Sequence, residues 1–304
     1  MKLKTKDLLT LDELSDNELS KIIDLGIKLK KELKKGTSKP ILKNKTLAMI
    51  FQKPSTRTRV SFETGMYQLG GHALNLSSDD LQLSRGESIE DTAKTLSRYV
   101  DVIMARVYDQ KLLEVLSKNS TVPVINGLSN SFHPCQTLAD LMTIKEKKKK
   151  LMGLKVAWIG DGNNVCNSLI YGCAKTGINI SIATPKGYEP DKSVIKKSKQ
   201  KIKIIITTDP QTAVQNADVV ITDTFTSIHD RDKNREKKFL PKFQVNSALM
   251  KKAKKNAIFL HCLPAKRGKE VTSSVIDSSQ SVVWDQAENR LHTQKALLVS
   301  LLGI

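Results

Sequence analysis

Of the 50 basic residues in this chain of 304, only nine are arginines, and aromatic residues make up 5%. Net charge is +19, which invites a nucleic-acid reading, because basic surfaces attract phosphate backbones. The composition argues against that. Nucleic-acid readers pair arginine with stacking aromatics, whereas here lysines fall in runs such as "KEKKKK" (145–150), "KKSKQKIK" (196–203) and "KKAKK" (251–255). They read as solvated faces and helix ends, so no nucleic-acid partner is expected. Cysteine is also scarce. Cys135, Cys166, Cys173 and Cys262 have neither zinc-finger nor disulfide spacing, which points to a reducing compartment and no metal. No apolar run approaches the roughly 18 residues of a membrane span. The first thirty residues carry Asp7, Asp12, Glu13, Asp16 and Glu18 and no long apolar core, unlike a targeting peptide. A cytoplasmic protein with no membrane contact is the expectation.

What is present is alternation. Short β-branched runs alternate with amphipathic helical stretches, the mark of α/β layering with mostly parallel strands. Strands are expected at 46–51, 72–76, 101–106 and 122–126, then at 155–160, 178–183, 203–207, 218–223, 257–262 and 281–284. Ser15 and Glu18 form a capping box for a first helix, and "QAENRLHTQKALLVSLLG" reads as a closing one. The lysine run before Leu151 breaks the pattern and puts a domain boundary near residue 150. The fold class is therefore α/β, with two doubly wound parallel-sheet domains.

Polar clusters follow the strands. "PSTRTR" comes after "TLAMIF", Arg106 ends "DVIMAR", and "HPCQ" follows "VPVIN"; later "GDGNN", "DTFTS" and "HCLP" each follow an apolar run. Ligands bind open α/β sheets at that edge, so one site in a cleft between the domains is expected. In "STRT", Ser55 suits the cap of a helix. A cap does not need Arg57. Free N–H groups of a helix start, the Thr56 and Thr58 hydroxyls and a guanidinium together make a cradle for a dianion. The run lacks the Gly-Lys-Thr signature of a nucleotide loop, which favours a small phosphate compound.

"STRTRVSFE", "HPCQTLAD", "HCLPAKRG" and "DQAENRLHTQKALL" resemble the signatures of the carbamoyltransferases, in particular their ornithine branch, from about residue 5 to the carboxyl terminus. The resemblance implies transfer of the carbamoyl group of carbamoyl phosphate to the δ-amine of L-ornithine, without a cofactor. It implies a carbamoyl-phosphate-binding domain over 1–150, completed by the closing helix 286–304, and an ornithine-binding domain over 151–285. Ser55, Thr56, Arg57 and Thr58 then hold the phosphate. Arg106 reaches phosphate and carbonyl, His133 donates to the carbonyl oxygen, Gln136 orients the amide, and Arg290 contacts the carbonyl. Gln82 reaches a neighbouring subunit's site in a homotrimer. Cys262 and the Leu263 backbone hold the carbamoyl NH₂ and the incoming amine. Asn164, Asp223, Ser227 and Ile228 take the amino acid, and the catalytic group comprises Arg57, Arg106, His133, Asp223 and Cys262.

"WIGDGNNVCNS" is only a partial dinucleotide fingerprint. Its third glycine position is Val165, and the next strand ends in "ISIATPKG" with no acid for a ribose; nicotinamide cofactors are excluded. One departure stands out. Where the ornithine branch has Ser-Met-Gly, this chain has Ser227-Ile228-His229, a stiffer side chain and a lost glycine. Another amine, putrescine or an acylated ornithine, therefore remains an alternative acceptor, and a basic nucleic-acid binder the alternative of a different class.

Overall fold

In the computed structural model, residues 3–77, 81–226 and 234–304 are described. The chain divides into two compact units, Met1–Met142 with Glu288–Ile304, and Thr143–Ala287.

The first unit carries four parallel strands, β1 (Thr46–Phe51), β2 (His72–Ser77), β3 (Val102–Arg106) and β4 (Val124–Leu128), in the order β2-β1-β3-β4. β1 and β3 are buried along nearly their whole length, as central parallel strands covered by helices must be. Five longer helices accompany them: α1 (Asp16–Lys34), α2 (Thr56–Gln68), α3 (Ile89–Leu96), α4 (Gln110–Asn119) and α5 (Pro134–Lys148). The Ser15–Glu18 capping box of α1 is present in both directions. Ser55, extended, caps α2 by accepting from the Thr58 N–H at 3.3 Å. Past the end of α2 the chain turns at Gly70, where φ is 79° and an added Cβ would come within 2.5 Å of Pro40. A helix-ending glycine meets both demands.

The second unit holds β5 (Lys155–Ile159), β6 (Asn179–Ala183), β7 (Ile204–Thr207), β8 (Val219–Thr222) and β9 (Ile258–His261), all parallel, ordered β7-β6-β5-β8-β9. Helices α6 (Asn164–Thr176) and α7 (Lys192–Ser198) join the early strands. Its core includes Phe225, Phe239, Phe243 and Phe259, with the first two rings stacked at 4.7 Å.

The expected strand at 281–284 does not form. Ser281 makes a single bridge to Phe259, and the closing helix Val283–Leu302 begins there instead. The β-branched run is too short to outweigh the helical sequence behind it, and Val282 and Val283 are buried anyway. What a β-branched pair requires is a half-buried surface, not a strand as such.

Both sheets reverse their strand order at one place, between β1 and β3 in the first unit and between β5 and β8 in the second. Carboxyl ends at such switch points are the binding crevices of open α/β sheets.

Candidate active site

At the first switch point, β1 and β3 run in register from Leu47 against Val102 to Phe51 against Arg106. Arg106 therefore ends its strand beside the loop that enters α2, and the Gln52 N–H donates to the Arg106 carbonyl at 2.9 Å. Because Ser55 already satisfies the Thr58 amide, the amides of Thr56 and Arg57 are first-turn donors with no acceptor inside the helix. Thr56 is exposed, Arg57 half-buried and Thr58 buried.

Arg290 enters from the closing helix and is 3% exposed. Its guanidinium donates to three uncharged side chains: Gln294 Oε1 at 3.0 Å, Gln136 Oε1 at 2.9 Å and Thr58 Oγ1 at 3.4 Å. Gln136 passes the network on, its Nε2 donating to Asp140 Oδ1 at 2.8 Å. Gln294 does the same towards Ser61 Oγ at 2.7 Å. The fork of Arg290 is thus oriented by fixed partners before any ligand arrives.

His133 precedes α5 and is buried. Burial first, then the positive charges of Arg290, Arg106 and Arg57, hold its imidazole well below the usual histidine range. At neutral pH the ring is uncharged. It offers an N–H donor without adding a fourth full charge. Lys53, also buried, lies with its Nζ 3.7 Å from the centre of the Tyr108 ring. Desolvation and then Arg106 pull its amine down to about 8. A cavity of about 580 Å³, lined among others by Lys53, Ser55, Thr56 and Asn75, opens beside the helix start. Three guanidinium groups and a lysine around one helix N-terminus make a site that favours a dianion.

The second switch point carries an acid. Asp223 follows β8 and is buried; three donors converge on its carboxylate. Asn163 Nδ2 donates to Oδ2 at 2.9 Å, and Cys262 Sγ and the Thr224 N–H each donate to Oδ1 at 2.8 Å. Asn163 is also the cap of α6, accepting from the amides of Val165 and Cys166. Asn164 stands next to it in the first turn, half-buried. Gly162 is required there because an added Cβ would meet the 189–190 backbone at 2.3–2.5 Å. This glycine serves close packing, not a pyrophosphate.

Donor atoms of Asp223, His261 and Cys262 lie within 4.8 Å of one another. All three are engaged in other ways. Cys262 Sγ donates to Asp223, and His261 Nδ1 accepts from the Leu263 N–H at 2.9 Å. These contacts make the three residues a hydrogen-bonded cluster. Cys135 is structural in the same sense. It donates to the Asn126 carbonyl at 3.4 Å, and burial pushes its thiol up to about 11.

The description "Aspartate/ornithine carbamoyltransferase, carbamoyl-P binding domain" matches residues 6–146, and its "Asp/Orn binding domain" matches 152–301. The chain belongs to the aspartate/ornithine carbamoyltransferase family. Among its relatives is the ornithine carbamoyltransferase of Cenarchaeum symbiosum, 61% identical over 302 residues and covering 99% of both chains. The "Ornithine carbamoyltransferase, anabolic" of Pyrococcus furiosus is 54% identical over 304 residues, 98% of this chain and 96% of that one. A solved structure of the Pyrococcus furiosus ornithine carbamoyltransferase superposes with a TM-score of 0.94 at 55% identity, covering 98% of this chain and 97% of that one.

Within this carbamoyltransferase-family chain, the structure gathers Thr58, Gln136 and Arg290 into one network and places Arg57 and Arg106 near enough to His133 to act on its charge. It brings Asp223 and Cys262 into contact, with Leu263 following Cys262 in the chain. Gln82 is exposed on the single 3₁₀ turn Gln82–Arg85, outside that buried network. Ser227 and Ile228, expected at the amino-acid side, lie outside the described residues. Sequence reading passed over Lys53, Asn163 and Asp140. Asn163 was recoverable, since a cap asparagine before an apolar helical run is a recognised start signal. Lys53 was hidden by the abundance of lysine around it.

Proposed function

We propose that the chain transfers the carbamoyl group of carbamoyl phosphate to the δ-amine of L-ornithine, giving L-citrulline and phosphate. The observation that carries this reading is the cluster of Arg57, Arg106 and Arg290 about a buried, uncharged His133 at the start of α2. A phosphate dianion with a polarisable carbonyl attached matches it. Ser55, Thr56, Arg57 and Thr58 take the phosphate, and Arg106 bridges phosphate and carbonyl. His133 and Arg290 donate to the carbonyl oxygen and stabilise the oxyanion of the tetrahedral intermediate. Gln136, fixed by Arg290 and Asp140, orients the carbamoyl amide.

The nucleophile must be uncharged, yet an alkylamine of pKa about 10.4 is neutral in only roughly one molecule in a thousand at pH 7.4. Fixed guanidinium charge near the reacting carbon disfavours a second cation there and so selects the neutral amine. Asp223, held by Asn163, Cys262 and Thr224, engages the amino acid's α-amino end or accepts a proton. Asn164 takes the α-carboxylate. Ser227 and Ile228 contact the amino acid, and Cys262 with the Leu263 backbone holds the reacting nitrogens. As the carbon–oxygen bond to phosphate breaks, the departing phosphate accepts the proton lost by the amine. No cofactor enters.

Residues 1–150 with the closing helix form the donor-binding domain in this reading, and 151–285 the acceptor-binding one. We also propose a cytoplasmic homotrimer in which Gln82 of one subunit reaches a neighbour's donor site. Among the described residues no helix is long and apolar enough to cross a membrane. The anabolic designation of the Pyrococcus furiosus relative favours the biosynthetic direction, towards arginine. The test is a colorimetric assay for carbamoylated product over ornithine, putrescine, N-acetylornithine and aspartate. Ornithine is expected to exceed every other amine in kcat/KM; preference for another amine, or no product alongside steep salt-dependent RNA binding, overturns the reading.

A further inference from the structure

Of the groups that the proposed chemistry leaves unused, the most deeply buried titratable pair is His261 and Glu270. Both side chains are 0% exposed, and His261 Nε2 lies 3.3 Å from Glu270 Oε1. His261 opens the "HCLP" segment of the second unit, and Glu270 follows it in the chain. Burying two ionisable side chains in a core of phenylalanine and valine is unfavourable unless their polar atoms are used. Only half of them are: His261 Nδ1 and Glu270 Oε1 have hydrogen-bond partners, while His261 Nε2 and Glu270 Oε2 have none among the described residues. At the end of β9 the His261 backbone N–H is tied to Gln286 Oε1 at 2.9 Å. On the ring, Nδ1 accepts from the Leu263 N–H at 2.9 Å. Nε2, on the other side of the ring, lies near Glu270 but makes no hydrogen bond to it. Glu270 is itself fixed, its Oε1 accepting from the Lys266 N–H and its carbonyl from the Val245 N–H.

The chain of contacts ends on an unusual backbone. Leu263 has φ of 58°, the left-handed region that branched residues rarely occupy. Pinning its N–H to His261 fixes that conformation and with it the direction of the Leu263 carbonyl. One residue back, Cys262 is held to Asp223. The two anchors together set the whole turn.

We propose that His261, through its Nδ1, is a positioning residue that aims the Leu263 backbone at the reacting nitrogens; this rests on the assignment of Leu263 given above. His261 touches no substrate. It acts on the reaction through the orientation of an acceptor, as outer partners orient ligands at metal sites.

The test compares two full-length variants that keep opposite ends of the ring. His261→Asn retains an acceptor where Nδ1 sits; His261→Gln moves its amide towards Glu270 and leaves the Leu263 N–H without its acceptor. His261→Gln is expected to lower kcat about 10- to 100-fold, the scale of a misplaced reacting geometry. Its KM for carbamoyl phosphate should stay near the parent's, and the Leu263 amide should lose protection from hydrogen exchange. His261→Asn should recover most of kcat and restore that protection. Equal loss in both variants, or full kcat in His261→Gln with the Leu263 amide exposed, overturns the proposal. Should His261→Gln not fold, hydrogen exchange in the parent decides: the Leu263 amide should be protected, and free exchange there overturns the proposal. A parent protein that forms no citrulline overturns the functional reading instead, while Leu263 exchange still reports whether the His261 contact exists.

Discussion

Single side chains of the proposed donor pocket divide by what they touch. Arg57 is half-buried, at a helix start capped by Ser55, and the fold makes little demand on it. Arg290 is buried and oriented by Thr58, Gln136 and Gln294, so its removal would also strip three neighbours of their donor. Arg57→Ala is therefore the cleaner probe of chemistry. Turnover should fall by about 10²–10³, the usual loss for one preorganised oxyanion donor, while the thermal midpoint stays where it was. A comparable fall in thermal stability would assign Arg57 to the fold. His133 shows why charge matters here as much as position. A protonated imidazole among three guanidinium groups would add repulsion, and the burial that keeps it neutral preserves its N–H as a donor.

Helix starts and helix faces carry the next level of argument. Ser15 and Ser55 both accept from an amide three residues on at the starts of α1 and α2, but only the second is placed at a switch point. Ser15→Ala and Ser55→Ala should each cost about 1 kcal/mol of stability in denaturant titrations. Only Ser55→Ala should also raise KM for carbamoyl phosphate; an unchanged KM would leave it a plain cap. On the closing helix, His292 is buried with Nε2 3.4 Å from Glu288 Oε1, near Lys30 and Lys295. Burial outweighs the Glu288 carboxylate and takes its ring down to about 4. Between that value and its ordinary 6.5 the unfolded chain binds the extra proton. The associated stability is therefore complete above pH 6.5 and is lost as pH falls towards 4. From pH 7 to 5, His292→Gln should lose about 2 kcal/mol less than the parent. Identical slopes would contradict the assigned burial.

Strands and the donor motif were legible because their signals are local. A β-branched run such as "VVIT" needs no partner to be recognised, and "STRT" announces a helix start with a guanidinium too many. Asp140 and Gln294 were not legible, since their roles arise from partners found only once the chain folds. Asp140 joins the network only through Gln136, and Gln294 only through Arg290. The run 281–284 misled for a related reason: its two valines are buried as a helix start.

Across the whole molecule, two sheets of the same parallel construction each carry polar residues at a strand-order reversal, cations in one and a carboxylate in the other. That asymmetry suits a reaction between an anionic donor and an amine. Because the neutral amine is the reactive form, kcat/KM for ornithine should climb with pH across neutrality. A profile flat from pH 6 to 9 with chemistry rate-limiting would contradict selection of that form. The most direct measurement is a crystal structure with a bisubstrate phosphonate joining a carbamoyl-phosphate mimic to ornithine. The phosphonate should sit on the Thr56 and Arg57 amides and the Arg57 guanidinium, with the amino-acid end at Asp223 and Asn164. A ligand bound elsewhere, with the start of α2 empty, would contradict the account.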